Sequence, residues 1–408
     1  MTNTLSYPKE KIRYAVLSLF LAQGLCFASW ASRLTDIKSS FDLQDLLHFG
    51  LLITLQPIGK FLAIPIVGFL MQRIGSKNTV LISLGGFIIS LFFIGLTPNI
   101  YILGTFFMLF GTFWNMTDIS LNTQAIEVER IYGKTIIATF HAGWSIAACI
   151  GALIGFLMIN LNINPQVHFI VITLLCLAVV GYSSRFLLDE IKEDKTAELA
   201  QPKKSKFKLK TIFSELILIQ LGLVWLFALI IENTMFDWSN VYFESTIHAP
   251  KTMQVGFLVF MVMMTTGRLL ANYAYKIWSK TTVLKVAGTL IFIGFFTSSV
   301  LIGHVETITL KVIVNSLGFM SIGLGISCIV PTIYSIVGEK VKNIPVGTAL
   351  TIMSGISFVG PLVTNVLVGY ISKHWGLEMA YLTVGFFGIC ILLIASLSKT
   401  MRLKSASN

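Results

Sequence analysis

Long apolar stretches alternate with short polar segments along the whole chain. Twelve of them are long enough to cross a bilayer, which takes about 20 predominantly apolar residues per helix. Because these runs are continuous and do not alternate with a period of two, they predict transmembrane α-helices and not a membrane β-barrel. They cover roughly residues 13–32, 46–71, 79–97, 100–125, 136–159, 167–188, 213–235, 254–275, 282–302, 308–337, 347–371 and 379–398.

A ten-residue segment between two of these stretches recurs half a chain length later. RIGSKNTVLI (73–82) returns as KIWSKTTVLK (276–285), with six of ten positions identical and an offset of 203 in 408 residues. Repeated apolar halves are typical of secondary transporters, in which the solute binds between the halves. We therefore predict an all-α membrane protein of two pseudo-symmetric six-helix bundles, residues 1–188 and 213–408, joined by a cytoplasmic linker at 189–212.

The distribution of charge changes what the net charge of +11 means. The chain is 55% hydrophobic and only 12% charged, which is too apolar for a soluble protein of this size. If the N-terminus is cytoplasmic, 23 of the 30 Lys and Arg fall in or beside cytoplasmic segments, and five lie near the outer side. This bias follows the positive-inside rule. It predicts a multi-pass inner-membrane protein with both termini in the cytoplasm, and it argues against a nucleic-acid partner.

Motifs for other chemistries are missing from the sequence. No phosphate-binding loop of the form GxxxxGK[ST] occurs, which disfavours ATP-driven transport. The five cysteines lie inside apolar stretches without metal-ligand spacing. We expect a monomer without metal or prosthetic group, whose partners are a small solute, a coupling ion and membrane lipids.

The segment GFLMQRIGSK (68–77) resembles the signature between helices 2 and 3 of the major facilitator superfamily. That signature is Gly, three residues, Asp, Arg, any residue, Gly and two basic residues. Two glycines, the arginine and one basic residue match it: Gly68, Arg73, Gly75 and Lys77. The resemblance implies twelve helices, alternating access and a gate at the cytoplasmic side that involves Arg73. Gln72 and Ser76 depart from the pattern, which leaves the gate interaction of the missing acidic residue open.

Three further segments resemble a largely uncharacterised bacterial branch near the fucose permeases. They are NTQAIE (122–127), HAGWS (141–145) ahead of a glycine-rich helix, and DWSNVY (237–242). Members of this branch are usually labelled as sugar or general solute transporters, which the resemblance carries over as an expectation.

Ionisable side chains at membrane depth are costly, so each is a candidate functional residue. Asp118 lies well inside the fourth span, with Asn115 and Asn122 on the same face at spacings of i, i+3 and i+7. The antiparallel fifth span is expected to bring His141 level with Asn122 and Trp144 level with Asp118. This cluster predicts a proton-coupling site at Asp118 and His141. An interhelical hydrogen-bond clamp or a gate explains it equally well.

The other buried charges allow two explanations each. Lys60 and Arg268 either extend to the membrane surface or contact solute, and Lys60 is also a possible partner of Asp118. Glu232 is deep enough to face a cavity and is a second proton-coupling candidate. We expect a helix break near Asn233, which would leave Asp237 at the exposed outer end.

Uncharged polar residues complete the candidate site. In the superfamily that the chain resembles, helices 1, 4, 7 and 10 line the cavity, which implies solute contacts at Gln23, Asn115 and Asn315 by position. Amides and indoles elsewhere in the spans are further candidates. Any one of them is also explained as a packing contact. The candidates are Gln23, Trp30, Asn115, Asn122, Trp144, Asn315 and Asn365, while Gly360-Pro361 predicts a kink in the eleventh span.

These features favour a secondary transporter, not an enzyme, that moves a small polar solute by symport with H⁺. Amides and aromatic faces suit a sugar or sugar derivative. A proton-driven exporter of amphipathic drugs is the alternative, since 12% of the residues are aromatic and 14 are methionines. A membrane sensor or enzyme would need a signalling domain or a nucleophile with a base, and His141 with Ser145 is too weak a pair.

Overall fold

The computed structural model describes residues 7–134, 136–188, 216–341, 346–398 and 401. These residues are helical apart from short connections, and no strand occurs among them. The predicted linker, 189–212, lies outside the described part. The first six helices are α1 (Lys9–Ser32), α2 (Leu34–Ser40), α3 (Leu46–Leu96), α4 (Ile100–Tyr132), α5 (Ile137–Asn160) and α6 (Pro165–Ser183). The remaining eight are α7 (Leu216–Ser245), α8 (Gly256–Ile277), α9 (Lys280–Ser299), α10 (Ile308–Ser327), α11 (Ile329–Lys340), α12 (Val346–Ser357), α13 (Val359–Trp375) and α14 (Leu377–Leu397).

The chain divides into two compact units. The first contains Met1–Gln44 and Leu51–Glu193, and the second contains Asp45–Gly50 and Asp194–Asn408. In the second unit, Lys373 Nζ donates to Asp45 Oδ2 over 2.6 Å. Asp45 precedes the membrane-spanning part of α3, and this hydrogen bond from Lys373 holds the pKa of its carboxyl below the ordinary value.

α3 contains two membrane spans in one helical run. Eleven described helical stretches are long and apolar enough to cross a membrane, and α3 has 51 residues where about 20 suffice. At Gly75 the backbone leaves the helical region, with φ 78° and ψ 173°. Only glycine adopts this conformation readily, so the chain turns between the two spans at this residue. The prediction of an all-helical chain with apolar spans is confirmed.

Two spans are interrupted shortly before a proline. α10 and α11 meet at Cys328, three residues before Pro331, and α12 and α13 meet at Phe358, three residues before Pro361. Proline has no N–H to donate to the carbonyl four residues earlier, so the helical hydrogen bonding is interrupted there. The second interruption lies beside Gly360-Pro361, where the sequence predicts a kink.

The predicted break near Asn233 is wrong. α7 continues without interruption to Ser245, ten residues beyond the predicted end at 235. Asp237 is also not exposed, because its relative accessibility is 6%. The polar run at 237–240 lies inside the second unit, where other helices supply hydrogen-bond partners.

Candidate functional site

Close contact between α3 and α4 positions the polar residues of the first unit. A Cβ atom at Gly111 would lie 1.8 Å from the carbonyl oxygen of Gln56, and one at Gly59 would lie 1.9 Å from that of Met108. Neither distance is possible between two non-bonded atoms, so a side chain at either position would require the helices to move apart. The two glycines therefore allow the backbones to touch, as small residues do between membrane helices.

This contact places Lys60 over Trp114. The Lys60 ammonium nitrogen lies 3.9 Å from the centroid of the Trp114 ring, within the range of a cation–π interaction. Next to Trp114, Asn115 donates its amide to the carbonyl oxygen of Lys60 over 2.7 Å. Asn115, a candidate solute contact, thereby fixes the backbone from which the Lys60 side chain extends.

Asp118 lies one helical turn beyond Trp114 on the same face of α4. Lys60 is the cation that acts on its carboxylate electrostatically. Asn122 donates to the carbonyl oxygen of Asp118 over 2.8 Å and approaches Oδ1 at 3.4 Å. The first unit thus contains a membrane-embedded group of a cation, an indole, a carboxylate and two amides.

Aromatic rings connect this group to α1 and α5. The ring of Phe27 lies 4.3 Å from Trp114 and 5.8 Å from Trp144, measured between centroids. Trp144 is held against α1, because a Cβ at Gly24 would lie 2.4 Å from its carbonyl oxygen. His141 contacts the ring of Phe20 at 5.5 Å. The ring contacts of α5 are therefore with α1, and the pairing of His141 with Asn122 stays a prediction.

Two candidates on α1 are deeply buried. Gln23 and Trp30 are each 1% exposed. Neither the Gln23 amide nor the Trp30 indole nitrogen has a hydrogen-bond partner within the described part of the chain. Trp30 packs on Phe107 and Phe110, with centroids at 5.8 and 5.3 Å. Gln23 lies one turn before Phe27 on the same helix face.

The residues of the signature segment differ in exposure and in the groups they contact. Arg73 is exposed, and its guanidinium lies 4.6 Å from the Phe69 ring. Ser76, which stands for a basic residue of the signature, is 7% exposed and accepts a hydrogen bond from Gln124 Nε2 over 2.7 Å. The same nitrogen donates to the carbonyl oxygen of Leu188, whose N–H donates to Gln124 Oε1 over 3.2 Å.

An ion pair joins two helices of the second unit. Arg268 Nη2 on α8 lies 3.1 Å from Glu232 Oε1 on α7. The side chains are 30% and 16% exposed. Two residues that the sequence presented as separate candidates are therefore partners.

A buried network connects α7 to α13. Asn365 Nδ2 donates to Asp237 Oδ2 over 2.8 Å, and the Trp238 indole N–H donates to Asn365 Oδ1 over 2.8 Å. All three side chains are at least 94% buried. Asn365 thus uses both ends of its amide within the protein. Asn315 on α10 is fully buried and donates to the carbonyl of Lys311 in its own helix.

Sequence reasoning missed the aromatic part of the site. Trp114 and Phe27 contact Lys60 or each other, yet neither was a candidate. The available signal was the position of Trp114, four residues before Asp118 on the same helical face. Phe27 gave no signal, because a phenylalanine in an apolar span is ordinary core composition.

Sequence comparison supports the relation suggested by the signature. The sequence profile of the Major Facilitator Superfamily matches residues 15–344. An uncharacterised transporter of Sinorhizobium fredii, y4wD, is 26% identical over 381 residues, which cover 93% of this chain and 96% of the relative. An uncharacterised MFS-type transporter of Yersinia pestis is 24% identical, covering 95% and 94% of the two chains. The membrane protein MosC of Rhizobium meliloti is 22% identical, covering 92% and 88%.

Solved structures share the fold at low sequence identity. The crystal structure of a D-xylose–proton symporter superposes with a TM-score of 0.76 at 13% identity, covering 96% of this chain and 98% of that one. A point mutant of the nucleoside transporter NupG gives a TM-score of 0.72 at 12% identity, covering 94% and 99%. With the profile match over most of its length, the chain is a multi-pass membrane transporter, not an enzyme, and belongs to the Major Facilitator Superfamily.

Proposed function

We propose that the protein is a proton-coupled symporter that carries a small hydroxylated solute, a sugar or sugar derivative, across the cytoplasmic membrane by alternating access. One observation carries the proposal: Lys60 is held over Trp114, one helical turn from the carboxylate-bearing Asp118 on α4, at membrane depth. A carboxylate placed there is expensive and is a functional group by default.

The pair supplies two states that a proton can switch between. While Asp118 is ionised, its negative charge attracts the Lys60 ammonium. When Asp118 takes a proton, that attraction ends and Lys60 is retained by the Trp114 ring. A ligand shifts a conformational equilibrium only through different affinities for the two states. A proton that binds Asp118 differently in the inward-facing and outward-facing states would therefore drive the solute, and no resident metal or cofactor is required.

The polar and aromatic groups of the first unit suit a solute that carries hydroxyls. Gln23, Asn115 and Asn122 offer amides, which donate and accept, and Trp114 and Trp144 offer aromatic faces for a sugar ring. A buried amide without a partner costs about 1–3 kcal/mol, so the Gln23 side chain gains from a polar ligand. The names of two structures that share the fold, a D-xylose–proton symporter and a nucleoside transporter, agree with this class.

The test compares coupled and uncoupled transport in liposomes. A thermal-shift screen of sugars, organic acids and drugs first identifies a solute. Asp118→Asn, which imitates the protonated form, is expected to keep solute counterflow but to lose accumulation under an imposed pH gradient. His141→Gln should shift the pH optimum more than it lowers affinity. Glu127→Gln is the control, because this carboxylate is on the same helix but pairs with the exposed Arg130. If Asp118→Asn still concentrates the solute, Asp118 is a structural clamp.

The orientation of the protein is a separate proposal. We infer from the 23-to-5 distribution of Lys and Arg that both termini and the 189–212 segment face the cytoplasm. A Ser205→Cys protein should be labelled by a membrane-impermeant thiol reagent only after the cells are opened. Thr252→Cys, in the connection between α7 and α8, should react from outside in intact cells. The opposite pattern would reverse the topology.

A further inference from the structure

The Glu232–Arg268 ion pair lies far from both ends of its helices. Arg268 is 12 residues after the start of α8 and nine before its end, and Glu232 is 16 residues after the start of α7 and 13 before its end. With a rise of 1.5 Å per residue, both lie at least about 13 Å from a helix end. Charges at such depth usually belong to a substrate or ion pathway.

Arg268 is on the inward face of α8. Met261 and Met264, seven and four residues earlier on the same face, are fully buried, whereas Leu269 and Leu270 beside it are exposed. The arginine therefore does not extend from the lipid side. On α7, Glu232 shares its face with Trp225 and Leu229, which are likewise only partly buried. Both side chains of the pair are therefore only partly buried, and Arg268 extends from the buried side of α8.

The groups around this pair differ in charge and in distance from it. Cys328 lies within electrostatic range of Arg268, and Tyr275, on the same helix as Arg268, shares a hydrogen bond with Thr332. The Cys328 thiol and the Tyr275 phenol are uncharged near neutral pH. Asp237, further along α7, is engaged by Asn365. Among the residues described, the other acidic, basic and histidine side chains on α7 to α14 are near helix ends: Glu244, Lys276, Lys280, Lys285, Lys311, Glu339, Lys340, Lys373, His374 and Glu378. Protonation of Glu232 would therefore remove the negative charge that the structure places beside the Arg268 guanidinium.

A carboxylate from a solute is the same chemical group as the one that Arg268 now binds. The planar guanidinium matches a carboxylate in a two-bond arrangement. If Glu232 stayed ionised, an entering anion would place two negative charges beside one positive charge. If Glu232 takes up a proton as the anion binds, the site is neutral before binding (Glu⁻, Arg⁺) and after it (protonated Glu, Arg⁺, solute anion). One proton and one anion therefore enter together, and each raises the affinity for the other.

We propose that Arg268 is the recognition site for a carboxylate on the solute, and that a proton on Glu232 releases it for that role. The solute is then a hydroxylated monocarboxylate such as a sugar acid. This inference rests on the proposed symport, and it adds a second proton site in the second unit to the one at Asp118.

Equilibrium binding to purified protein tests the proposal apart from transport. The probes are D-gluconate, D-glucuronate, D-galactonate and L-lactate, with D-glucose as the neutral comparison; all four acids stay ionised between about pH 5.5 and 7.5. Asp118→Asn is the common background, so that the proton on Asp118 does not contribute. At least one acid should bind, with a Kd that falls about tenfold per unit decrease in pH, the slope for one linked proton.

The variants then separate the two roles. Glu232→Gln should bind the same acid tightly and without pH dependence, because its neutral amide imitates the protonated carboxyl. Arg268→Gln should weaken binding by at least about 30-fold, the usual result of truncating a desolvated charge partner. If Arg268→Gln alone is unstable, the double variant Glu232→Gln/Arg268→Gln takes its place, because it removes both charges of the pair. It should show the same weakening of acid binding. Glu339→Gln, which breaks the peripheral Lys280–Glu339 pair, should change neither slope nor affinity.

Three results would overturn the inference. They are a pH slope that persists in Glu232→Gln, normal acid binding in Arg268→Gln, and binding of D-glucose but of no acid. If the binding results hold while Asp118→Asn still accumulates solute, the role of Asp118 is wrong and the carboxylate site stands.

Discussion

Gln124 on α4 donates its side-chain amide to the Ser76 hydroxyl over 2.7 Å. The contact joins the two segments through which the sequence resembles its family, the GFLMQRIGSK signature and the NTQAIE motif. Gln124 also exchanges two hydrogen bonds with the backbone of Leu188 beyond α6. The signature has a basic residue at position 76. The neutral Ser76 fits this buried position in the first unit, because its hydrogen-bond partner is the neutral amide of Gln124.

Gln124→Ala is expected to destabilise the protein by about 1–3 kcal/mol, because it leaves the Leu188 backbone groups and the Ser76 hydroxyl without this partner. Chemical denaturation in detergent micelles measures the free energy of unfolding. Thr123→Ala is the matched control, since the Thr123 hydroxyl bonds to Ile119 in its own helix. An equal loss in both variants would show that the network contributes nothing.

Gly75→Ala should cost about 1–3 kcal/mol, since φ 78° and ψ 173° is a backbone conformation that side chains with a Cβ adopt only under strain. Gly68→Ala in the same signature is the control. A Cβ there meets no atom within 4 Å, so this change should be neutral or slightly stabilising. Unfolding curves of the two variants measured side by side decide the matter, and an unaffected Gly75→Ala protein would contradict the strained turn.

Gly111→Ala is expected to separate α3 from α4 and to move Lys60 away from Trp114. The added methyl would lie 1.8 Å from the Gln56 carbonyl oxygen, so a helix must shift. Uptake should fall at least about tenfold, since displacement of a site residue by about 1 Å can reduce a rate by two orders of magnitude. Gly85→Ala on α3, where a Cβ has open space, is the comparison and should transport normally. Normal uptake by Gly111→Ala would mean that the close approach does not determine the site.

Asn365→Ala removes both hydrogen bonds that connect Asp237 and Trp238 to α13. We expect a loss of about 2–5 kcal/mol in the free energy of unfolding, because a buried carboxylate and an indole each lose a partner. Asn233→Ala on α7, whose amide bonds to Leu229 in the same helix, should stay within about 0.5 kcal/mol of the parent. Thermal unfolding of the two proteins in the same detergent provides the measurement, and similar midpoints would exclude a stabilising network.

The spans and their kinks were predictable because they depend on local composition. The length of the apolar runs predicted the helices, and Gly360-Pro361 predicted an irregularity in the eleventh span. Gly75, where α3 turns, is one of the glycines of the signature. The outer part of α7 was not predictable in this way. Its residues Asp237, Ser239 and Asn240 are polar, and polar residues after an apolar run ordinarily mark the water interface. Asp237 and Asn240 have hydrogen-bond partners on α13 and α8, and periodicity along one segment contains no information about those partners.

The same distinction applies to the candidate site. Asp118, Asn115 and Asn122 were identified because helical spacing places them on one face. The pairing of Glu232 with Arg268 and the position of Lys60 over Trp114 depend on which helices touch and at what height. Glycine contacts such as Gly59 with Met108 determine that height, and a single sequence does not specify which backbone a glycine will meet.

The continuous α7 has a consequence for how the protein is made. Asp237 is synthesised 128 residues before Asn365, its partner in the folded second unit. At about 5–20 residues per second, the carboxylate waits roughly 6–26 s for that amide to be synthesised. During this time the Asp237 carboxylate lacks the hydrogen bond from Asn365, so transfer of the polar end of α7 into lipid is less favourable. The last turns of α7 should therefore enter the bilayer late, as α13 arrives, and deletion of α13 should leave Asp237 accessible to water in the truncated nascent chain.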